Sequence, residues 1–373
     1  HVSLQAGNDV DIDAGVSTVA SGSVYVAGRD LRVNSTIDTV AGDQLLTATR
    51  DLNVNAALSS TTGSIGLLAG RDIAQTANVT AGGDVLINAV GNFTQSGGTS
   101  TTAGDTLQLT TGGTQRLALL SASHISLDAG GDILDNNGAN VLNLQANTLR
   151  MVAGGIIGGA DLPNAPDANG NALDMEVGTV AARSSRGIYL QELANGGDLV
   201  VGHVQGSASV SVQQVRFNST LSPVTAGDVA GTALQPLDDL ETSAGPIKVV
   251  VRGGNLTIND GTDGDGMGVI ATAASDILLW TSSNLDINAQ VSSGGGHVSL
   301  QAGNDVDIDA GVSTVASGSV YVAGRDLRVN STIDTAAGDQ LLTATRDLNV
   351  NAVLSSTTGS IGLLAGRDIA QTA

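Results

Sequence analysis

Hydrophobic and polar residues alternate with a period of two in short runs along most of the chain. The stretch from Gly22 to Ile37 shows the pattern, with one run at Val24 and Val26, a second at Leu31 and Val33, and a Gly-Arg-Asp corner between them. Alternation of this kind places the apolar side chains on one face of extended chain. Glycine and aspartate suit the tight corner. The stretch therefore predicts two short strands, which cannot fold alone.

The same sequence motif recurs at a fixed interval, which indicates a repeat architecture. The corner aspartates are 21 residues apart, at Asp9, Asp30, Asp51 and Asp72. An alternating pair precedes each corner, at Val2/Leu4, Val24/Val26, Leu45/Thr47 and Ile65/Leu67, and a third apolar point follows it. Three short strands per period of about 20 residues are the signature of a solenoid. We therefore predict an all-β fold, a parallel β-helix whose coils of about 20–21 residues stack about 4.8 Å apart.

The regularity fails in two places, which sets the predicted domain limits. We expect regular coils over residues 1–155, 175–221 and 246–373, where Val210 and Val212 continue the pattern of the second block. Loop excursions are expected at 156–174 and 222–245. All five prolines fall in or beside these excursions, as expected because proline cannot donate to an interior strand ladder.

A second, longer repeat lies above the coils. Residues 297–373 repeat residues 1–77 with an offset of 296 and two differences, Val40 against Ala336 and Ala57 against Val353. We therefore expect a 296-residue tandem unit, and a longer parent chain in which several copies form a rod.

Composition and charge narrow the function classes. The chain has 50 glycines and 2% aromatic residues, which is a poor composition for helices or for a conventional compact core. Its net charge of −21 disfavours nucleic acid, which is bound by basic surfaces. There is no cysteine, so disulfides and cysteine-ligated metals are excluded. No apolar run has transmembrane length.

The repeat phrases resemble those of a known family. AGRDLRVNSTI, AGGDVLINA, AGGDILDN and NGGDLVVG are similar to the repeats of filamentous haemagglutinin-like, two-partner-secreted adhesins of Gram-negative bacteria. The resemblance covers most of the chain outside the excursions. It implies a right-handed parallel β-helix shaft at the bacterial outer surface or released from it. The secretion domain of such proteins has no counterpart in this sequence.

The corner charges are the most regular polar feature. Arginine precedes aspartate in three successive corners, and the predicted structural ladder comprises Arg29, Asp30, Arg50, Asp51, Arg71 and Asp72. Aspartates stacked about 4.8 Å apart would repel, and the neighbouring arginine column would compensate them. We interpret the ladder as architecture and not as a binding site.

Two acidic clusters are candidates for metal binding. Asp260, Asp263 and Asp265 lie on a glycine-rich loop and present the oxygen ligands that calcium prefers. The loop lacks the terminal glutamate of an EF-hand, so calcium binding and a solvated acidic loop both remain open. A similar cluster comprises Asp167, Asn169, Asn171 and Asp174.

Catalysis is the alternative class, because parallel β-helices also host polysaccharide lyases and hydrolases. His124 and His203 have no matched aspartate or serine in the sequence pattern, and Lys248 is expected to face outward. We therefore expect no catalytic residues and no enzyme.

The sequence thus predicts a non-enzymatic, extracellular shaft of a large repetitive adhesin that mediates attachment or biofilm cohesion. Its partners would be a host-cell, glycan or matrix surface, or copies of itself, with neither nucleic acid nor a membrane span. A self-assembling extracellular filament or sheath is the second hypothesis. Specific contacts are expected at the excursions, where the surface varies.

Overall fold

The computed structural model describes residues 1–159, 168–207, 210–217 and 223–372; it also leaves out the side chains of residues 214–217 and 223–228. These residues form β-strands and no helix, and strands make up 54% of the chain. The described residues hold no helix of the length and apolarity needed to cross a membrane. The chain divides into two compact units, His1–Thr148 with Gly206–Gln235, and Leu149–Gln205 with Pro236–Ala373.

The first unit is a stack of coils that each contribute one strand to each of three faces. Face A consists of β1 Val2–Ala6, β4 Ser23–Ala27, β7 Gln44–Ala48, β10 Ile65–Ala69, β13 Val85–Ala89, β16 Thr106–Thr111 and β19 His124–Ala129. Face B consists of β2 Val10–Ile12, β5 Leu31–Val33, β8 Leu52–Val54, β11 Ile73–Gln75, β14 Phe93–Gln95, β17 Gln115–Leu117 and β20 Ile133–Asp135. Face C consists of β3 Val16–Thr18, β6 Ile37–Thr39, β9 Leu58–Ser60, β12 Val79–Ala81, β15 Ser100–Ala103, β18 Leu119–Ser121 and the start of β21 Leu144–Ala153.

The second unit repeats the three faces. The long strand β22 Leu173–Ser184 pairs with a strand of each face in turn. Face A continues with β23 Ile188–Glu192, β28 Ile247–Val251, β31 Ile277–Thr281, β34 Val298–Ala302, β37 Ser319–Ala323, β40 Gln340–Ala344 and β43 Ile361–Ala365. Face B continues with β24 Leu199–Val201, β29 Leu256–Ile258, β32 Leu285–Ile287, β35 Val306–Ile308, β38 Leu327–Val329, β41 Asp347–Val350 and β44 Asp368–Gln371. Face C continues with β27 Leu240–Thr242, β30 Met267–Ala271, β33 Gln290–Ser293, β36 Val312–Thr314, β39 Ile333–Thr335 and β42 Leu354–Ser356.

All coil-to-coil pairing is parallel between like faces, which confirms the predicted β-solenoid. In the first coils Tyr25 pairs with Leu46, and Leu46 with Leu67, one coil further on. These three side chains have no solvent exposure. The core is therefore a narrow column of aliphatic side chains with an occasional aromatic one, in which like positions stack from coil to coil.

The inward positions of face A differ from those that the sequence pattern suggested. Val24 and Val26 were expected to share a face with Leu31 and Val33, but the inward residues of β4 are Ser23, Tyr25 and Ala27. The expectation was wrong by one residue at this strand and at Leu45/Thr47, because a strand with apolar residues on both sides carries no clear alternation.

A hairpin covers the apolar residues on the outward side of the face A strands. Strands β25 Ser211–Phe217 and β26 Pro223–Ala230 pair antiparallel, with Val212 opposite Val229. Val210 and Val212 therefore do not continue the coils as expected. They pack with Val24, Leu45 and Leu86 in a buried cluster on the outer side of face A.

The predicted excursions are described only in part. Residues 160–167 and Ser222 lie outside the described residues. At the start of the first excursion Ile157 forms a parallel bridge with Ile188, and at its end Leu173 begins β22. The predicted domain limits as a whole stay predictions.

Candidate functional site

The corner charges form two series of ion pairs between successive coils. Arg29 Nε donates to Asp9 Oδ1 at 2.7 Å, and its Nη2 donates to Asp9 Oδ2. Arg50 binds Asp30 in the same two-pronged way, with Nε 2.7 Å from Oδ1. Arginine therefore forms its hydrogen bonds with the aspartate of the preceding coil, 20 residues earlier, and lies farther from the aspartate that follows it, as at 3.8 Å between Arg50 Nε and Asp51 Oδ2.

The remaining ladder positions repeat this geometry. Arg71 Nε lies 2.7 Å from Asp51 Oδ1, while Asp72 accepts from the backbone N–H of Asn92 at 2.8 Å, where the arginine column ends. The tandem copy has the same pairs, at Arg325–Asp305, Arg346–Asp326 and Arg367–Asp347.

The arginines set the protonation of the aspartates. The hydrogen bond from Arg29 lowers the pKa of Asp9 to about 2 against the opposing effect of desolvation, and the bond from Arg346 lowers that of Asp326 to about 2. The same bonds raise the pKa of the arginines. Asp9 and Asp326 thus remain ionised at neutral pH, and their ion pairs hold adjacent corners in register.

A parallel column of amides was not anticipated from the sequence. Asn34 Nδ2 donates to Asp13 Oδ1 at 2.8 Å, and Asn55 Nδ2 donates to Asn34 Oδ1 at 2.9 Å. The 21-residue spacing of these three residues was available as a signal. The column links the coils and is exposed, so it adds to the structural role of the corners.

A buried glutamate lies at the inward end of β23. Glu192 has no solvent exposure, and its Oε1 accepts a hydrogen bond of 2.8 Å from the backbone N–H of Val177. Within the part of the chain that the structure describes, its Oε2 has no hydrogen-bond partner. Burial, aided by the charge of Glu176, raises the pKa of Glu192 to about 9, so that the carboxyl is neutral at physiological pH.

An acidic cluster forms where two turns of the second unit meet. Leu240 of β27 pairs with Val269 of β30 in the next coil, so the turns that precede these strands lie side by side. This brings Asp239 together with Asp263 and Asp265, whose ligand atoms all lie within 4.8 Å of one another.

Asp239 is the buried member of this cluster. It is 3% exposed, its backbone has a φ of 67°, and its Oδ1 has no hydrogen-bond partner among the described residues. Burial, together with the charges of Asp263 and Asp265, raises its pKa to about 7. A positive φ is uncommon for a residue with a side chain, which indicates that the turn holds this carboxyl in place.

The cluster fits a hard divalent cation. Three carboxylates supply oxygen donors of the kind that calcium takes. Of the predicted calcium residues, Asp263 and Asp265 belong to this group and Asp260 does not. Asp239 was not among the predicted calcium residues, because the register between β27 and β30 was needed to bring it to the loop.

The second acidic cluster is largely internal. Asp167 lies outside the described residues. Asn169 and Asp174 are each 1% exposed, and each has a protein partner, Leu190 O for Asn169 Nδ2 and Gln191 Nε2 for Asp174 Oδ1. These contacts give the two residues a role in closing the coil.

His203 is not isolated, contrary to the sequence interpretation. Its Nδ1 lies 2.8 Å from Asp238 Oδ1 and 2.9 Å from Thr262 Oγ1. In a nucleophile–histidine–carboxylate triad the two partners contact different ring nitrogens. Here both contact the same nitrogen, so the geometry differs from that of a triad, and the contacts connect neighbouring turns.

Comparisons with models of protein families, with curated proteins and with solved structures found no match for this chain. The β-solenoid fold and the tandem repeat therefore rest on the sequence and the structure of the chain itself.

Proposed function

We propose that this chain is the non-enzymatic structural shaft of a large repetitive adhesin of the filamentous haemagglutinin-like kind, displayed on the bacterial outer surface or secreted. The observation that carries the proposal is the tandem copy. Residues 297–373 repeat the opening coils and form the same strands and the same arginine–aspartate pairs as residues 1–77. A fold that can be continued in this way suits a spacer whose length is set by the number of copies.

The charge of the surface disfavours nucleic acid as a partner. The net charge is −21, and the described corner charges are largely neutralised in pairs between coils. Such pairs join one coil of the chain to the next. The partners that we propose are host-cell, glycan or matrix surfaces, reached at the excursions, or further copies of the chain.

We also propose that the cluster of Asp239, Asp263 and Asp265 binds calcium. The unpartnered, buried Oδ1 of Asp239 supports this, because a buried carboxylate oxygen without a donor is costly unless a cation or a proton compensates it. Calcium would join the turns before β27 and β30 and would have a structural role.

Surface display and adhesion test the main proposal. Antibodies against the purified chain should label intact producing cells, and beads coated with the chain should adhere to host cells or matrix more than beads coated with an unrelated acidic protein. Labelling that requires permeabilised cells, together with no adhesion above the control, would contradict the proposal.

Two further measurements separate the other functions. Ordered lattices in electron micrographs of the purified chain would favour the self-assembling filament. Release of unsaturated or reducing sugars from acidic polysaccharides would favour a lyase or hydrolase, and the shaft proposal predicts no product.

A further inference from the structure

The chain contains three Asn–Gly pairs, at residues 137–138, 169–170 and 195–196. In such a pair the backbone nitrogen of glycine can attack the carboxamide carbon of asparagine, since glycine has no Cβ to hinder ring closure. A new N–Cγ bond closes a succinimide ring, and the carboxamide nitrogen leaves as ammonia with the proton that the glycine nitrogen gives up. Water then opens the ring to aspartate or isoaspartate. Because the carboxamide must turn toward the next residue, the surroundings of each asparagine decide whether it reacts.

Two of the three asparagines are held by hydrogen bonds to carbonyl groups. Asn137 Nδ2 donates to the carbonyl oxygens of Ala118 and Leu142, each at 2.7 Å. Asn169 is 1% exposed, and its Nδ2 donates to the carbonyl oxygen of Leu190 at 2.8 Å. Either carboxamide would have to break these bonds before it could turn, so both asparagines are protected.

Asn195 is not held in this way. It lies in the turn between β23 and β24, it is exposed, and its side chain forms no hydrogen bond within the described part of the chain. The attacking nitrogens differ less, because Gly196 N–H donates to the carbonyl oxygen of Leu193 at 3.0 Å and Gly138 N–H donates to Asp135 Oδ2 at 3.1 Å. Freedom of the carboxamide is therefore the feature that distinguishes Asn195.

The turn that contains Asn195 packs on a buried carboxyl. A Cβ on Gly196 would overlap with Oε1 of Glu192 and would lie 2.6 Å from its Cδ, so the backbone of the turn lies directly against this carboxyl. Glu192 has no solvent exposure. An isoaspartate carries the main chain through its side-chain carboxyl, which lengthens the backbone between residues 195 and 196 by one carbon. Gly196 cannot then keep its position over Glu192.

We propose that Asn195 is a site of spontaneous deamidation, with water as the only co-reactant, and that the isoaspartate formed there loosens the turn over Glu192. Asn137 and Asn169 stay intact in the folded chain. The modification changes a neutral turn into an acidic one. This inference holds whether or not the chain serves as an adhesin shaft.

Peptide mass spectrometry of the full-length chain after prolonged incubation tests the proposal. Trypsin places the three asparagines in separate peptides, which span residues 117–150, 151–183 and 187–216. After incubation at pH 8 and 37 °C, electron-transfer fragmentation of these peptides locates each new acid and distinguishes isoaspartate from aspartate. We expect conversion at Asn195 to be at least tenfold faster than at either of the other two asparagines.

The unfolded chain provides the control for protection by the fold. In guanidinium chloride the three asparagines have the same glycine neighbour and no folded contacts, so their rates should become similar. Equal rates at the three sites in the folded chain would overturn the proposal. It would also be overturned if Asn195 stayed intact in the folded chain while it reacted in the unfolded one.

Asn195→Gln isolates the effect on the turn, because glutamine would have to close a larger and less favourable ring. The substitution is at an exposed side chain, so the variant and the parent should melt alike before incubation. After incubation the parent should melt below the variant, by roughly 2 °C or more. Equal melting temperatures despite isoaspartate at position 195 of the parent would overturn the loosening of the turn over Glu192.

Discussion

At the scale of single residues, the corner glycine is fixed by the coil beneath it. A Cβ on Gly28 would lie 2.3 Å from the carbonyl oxygen of Gly7, which is far inside van der Waals contact. Gly15 is not crowded: the nearest atom to its Cβ position is Thr36 Oγ1, at 3.5 Å, and its repeat counterpart Gly311 is equally open. The neighbouring coil therefore constrains Gly28 and does not constrain Gly15.

Gly28→Ala should therefore destabilise the protein by about 1–3 kcal/mol, because the backbone of one corner must move. Gly15→Ala is the matched control and should be neutral or slightly stabilising, since it reduces only the freedom of the unfolded chain. Thermal or urea unfolding of the first unit measures both. Equal effects of the two substitutions would show that the stacked corner is not the constraint.

Glu192 gives a pH dependence of defined sign. Its pKa is about 9 in the folded chain against 4.5 as the ordinary value, so the folded state holds one more proton than the unfolded state between these limits. Its contribution to stability is present at low pH and is lost as the pH rises toward 9.

Glu192→Gln removes this dependence and keeps an oxygen to accept from Val177. We expect the variant to melt a few degrees above the parent at pH 8, by roughly 3 °C or more, and close to it at pH 5. Asp368→Asn, at a carboxylate whose side chain is 79% exposed, is the control and should change little at either pH. A difference that does not grow with pH would show that the carboxyl is not buried in its neutral form.

At the scale of elements, the ladder joins corner to corner. Asp326 has a side chain that is only 5% exposed, and Arg346 and the N–H of Asp347 both donate to it. Its folded pKa of about 2 lies below the ordinary 3.8. Its contribution is therefore present above pH 4 and is lost as the pH falls toward 2.

Asp326→Asn should lower the melting temperature of the second unit by about 2–6 °C at pH 7, because a charged hydrogen-bond acceptor is lost. The difference from the parent should shrink between pH 4 and pH 2. Asp334→Asn, on the exposed side of β39, is the control, because it removes one negative charge in the same way. An Asp326→Asn penalty that persists unchanged at pH 2 would contradict the role given to Arg346.

The acidic cluster is also a property of two elements. Calcium should raise the melting temperature of the parent chain at pH 7.5, where a cation stabilises the ionised form of Asp239. Asp239→Asn should abolish most of that increase. Asp105→Asn, whose side chain is 70% exposed in the parent chain, should retain it. The same increase in all three proteins, or an equal effect of magnesium, would argue against a specific calcium site.

The elements also show what the sequence could and could not predict. The 21-residue corner spacing determined the strands and the ladder, because each depends on contacts between like positions of neighbouring coils. The side assigned to Val24 and Leu45 was wrong because both sides of those strands are apolar, and only the distant hairpin explains the outer one. Asp239 was separated from Asp263 by an irregular coil, so its place in the cluster depended on a register that no repeat specified.

At the scale of the whole molecule, the coil is the unit that can be added or removed. Residues 327–347 contain one full period of 21 residues, and their removal joins Asp326 to Leu348 with the corner phrase intact. Arg367 then follows Asp326 at the spacing of 20 residues that the ladder uses.

Deletion of residues 327–347 should therefore leave the β circular dichroism and a cooperative melt, with a modest loss of stability. Deletion of residues 327–336, about half a period, should disrupt the coils that follow, because it moves core residues off their faces. Similar spectra and melting curves for the two deletions would show that the period does not govern the fold.

The contact between the hairpin and face A joins residues that are much farther apart in the sequence than the residues of the ladder. Ladder bonds join residues 20 apart, whereas the bond between Gln213 and Asp43 joins residues 170 apart. Contacts between near residues form early, and distant ones must wait for chain closure. During synthesis at about 5–20 residues per second, the roughly 120 residues between Leu86 and Val210 take on the order of 6–25 s to appear. During that interval the outer side of the opening coils has an uncovered row of aliphatic side chains, at Val24, Leu45 and Leu86. Any protection of the nascent chain against association must therefore act within this interval.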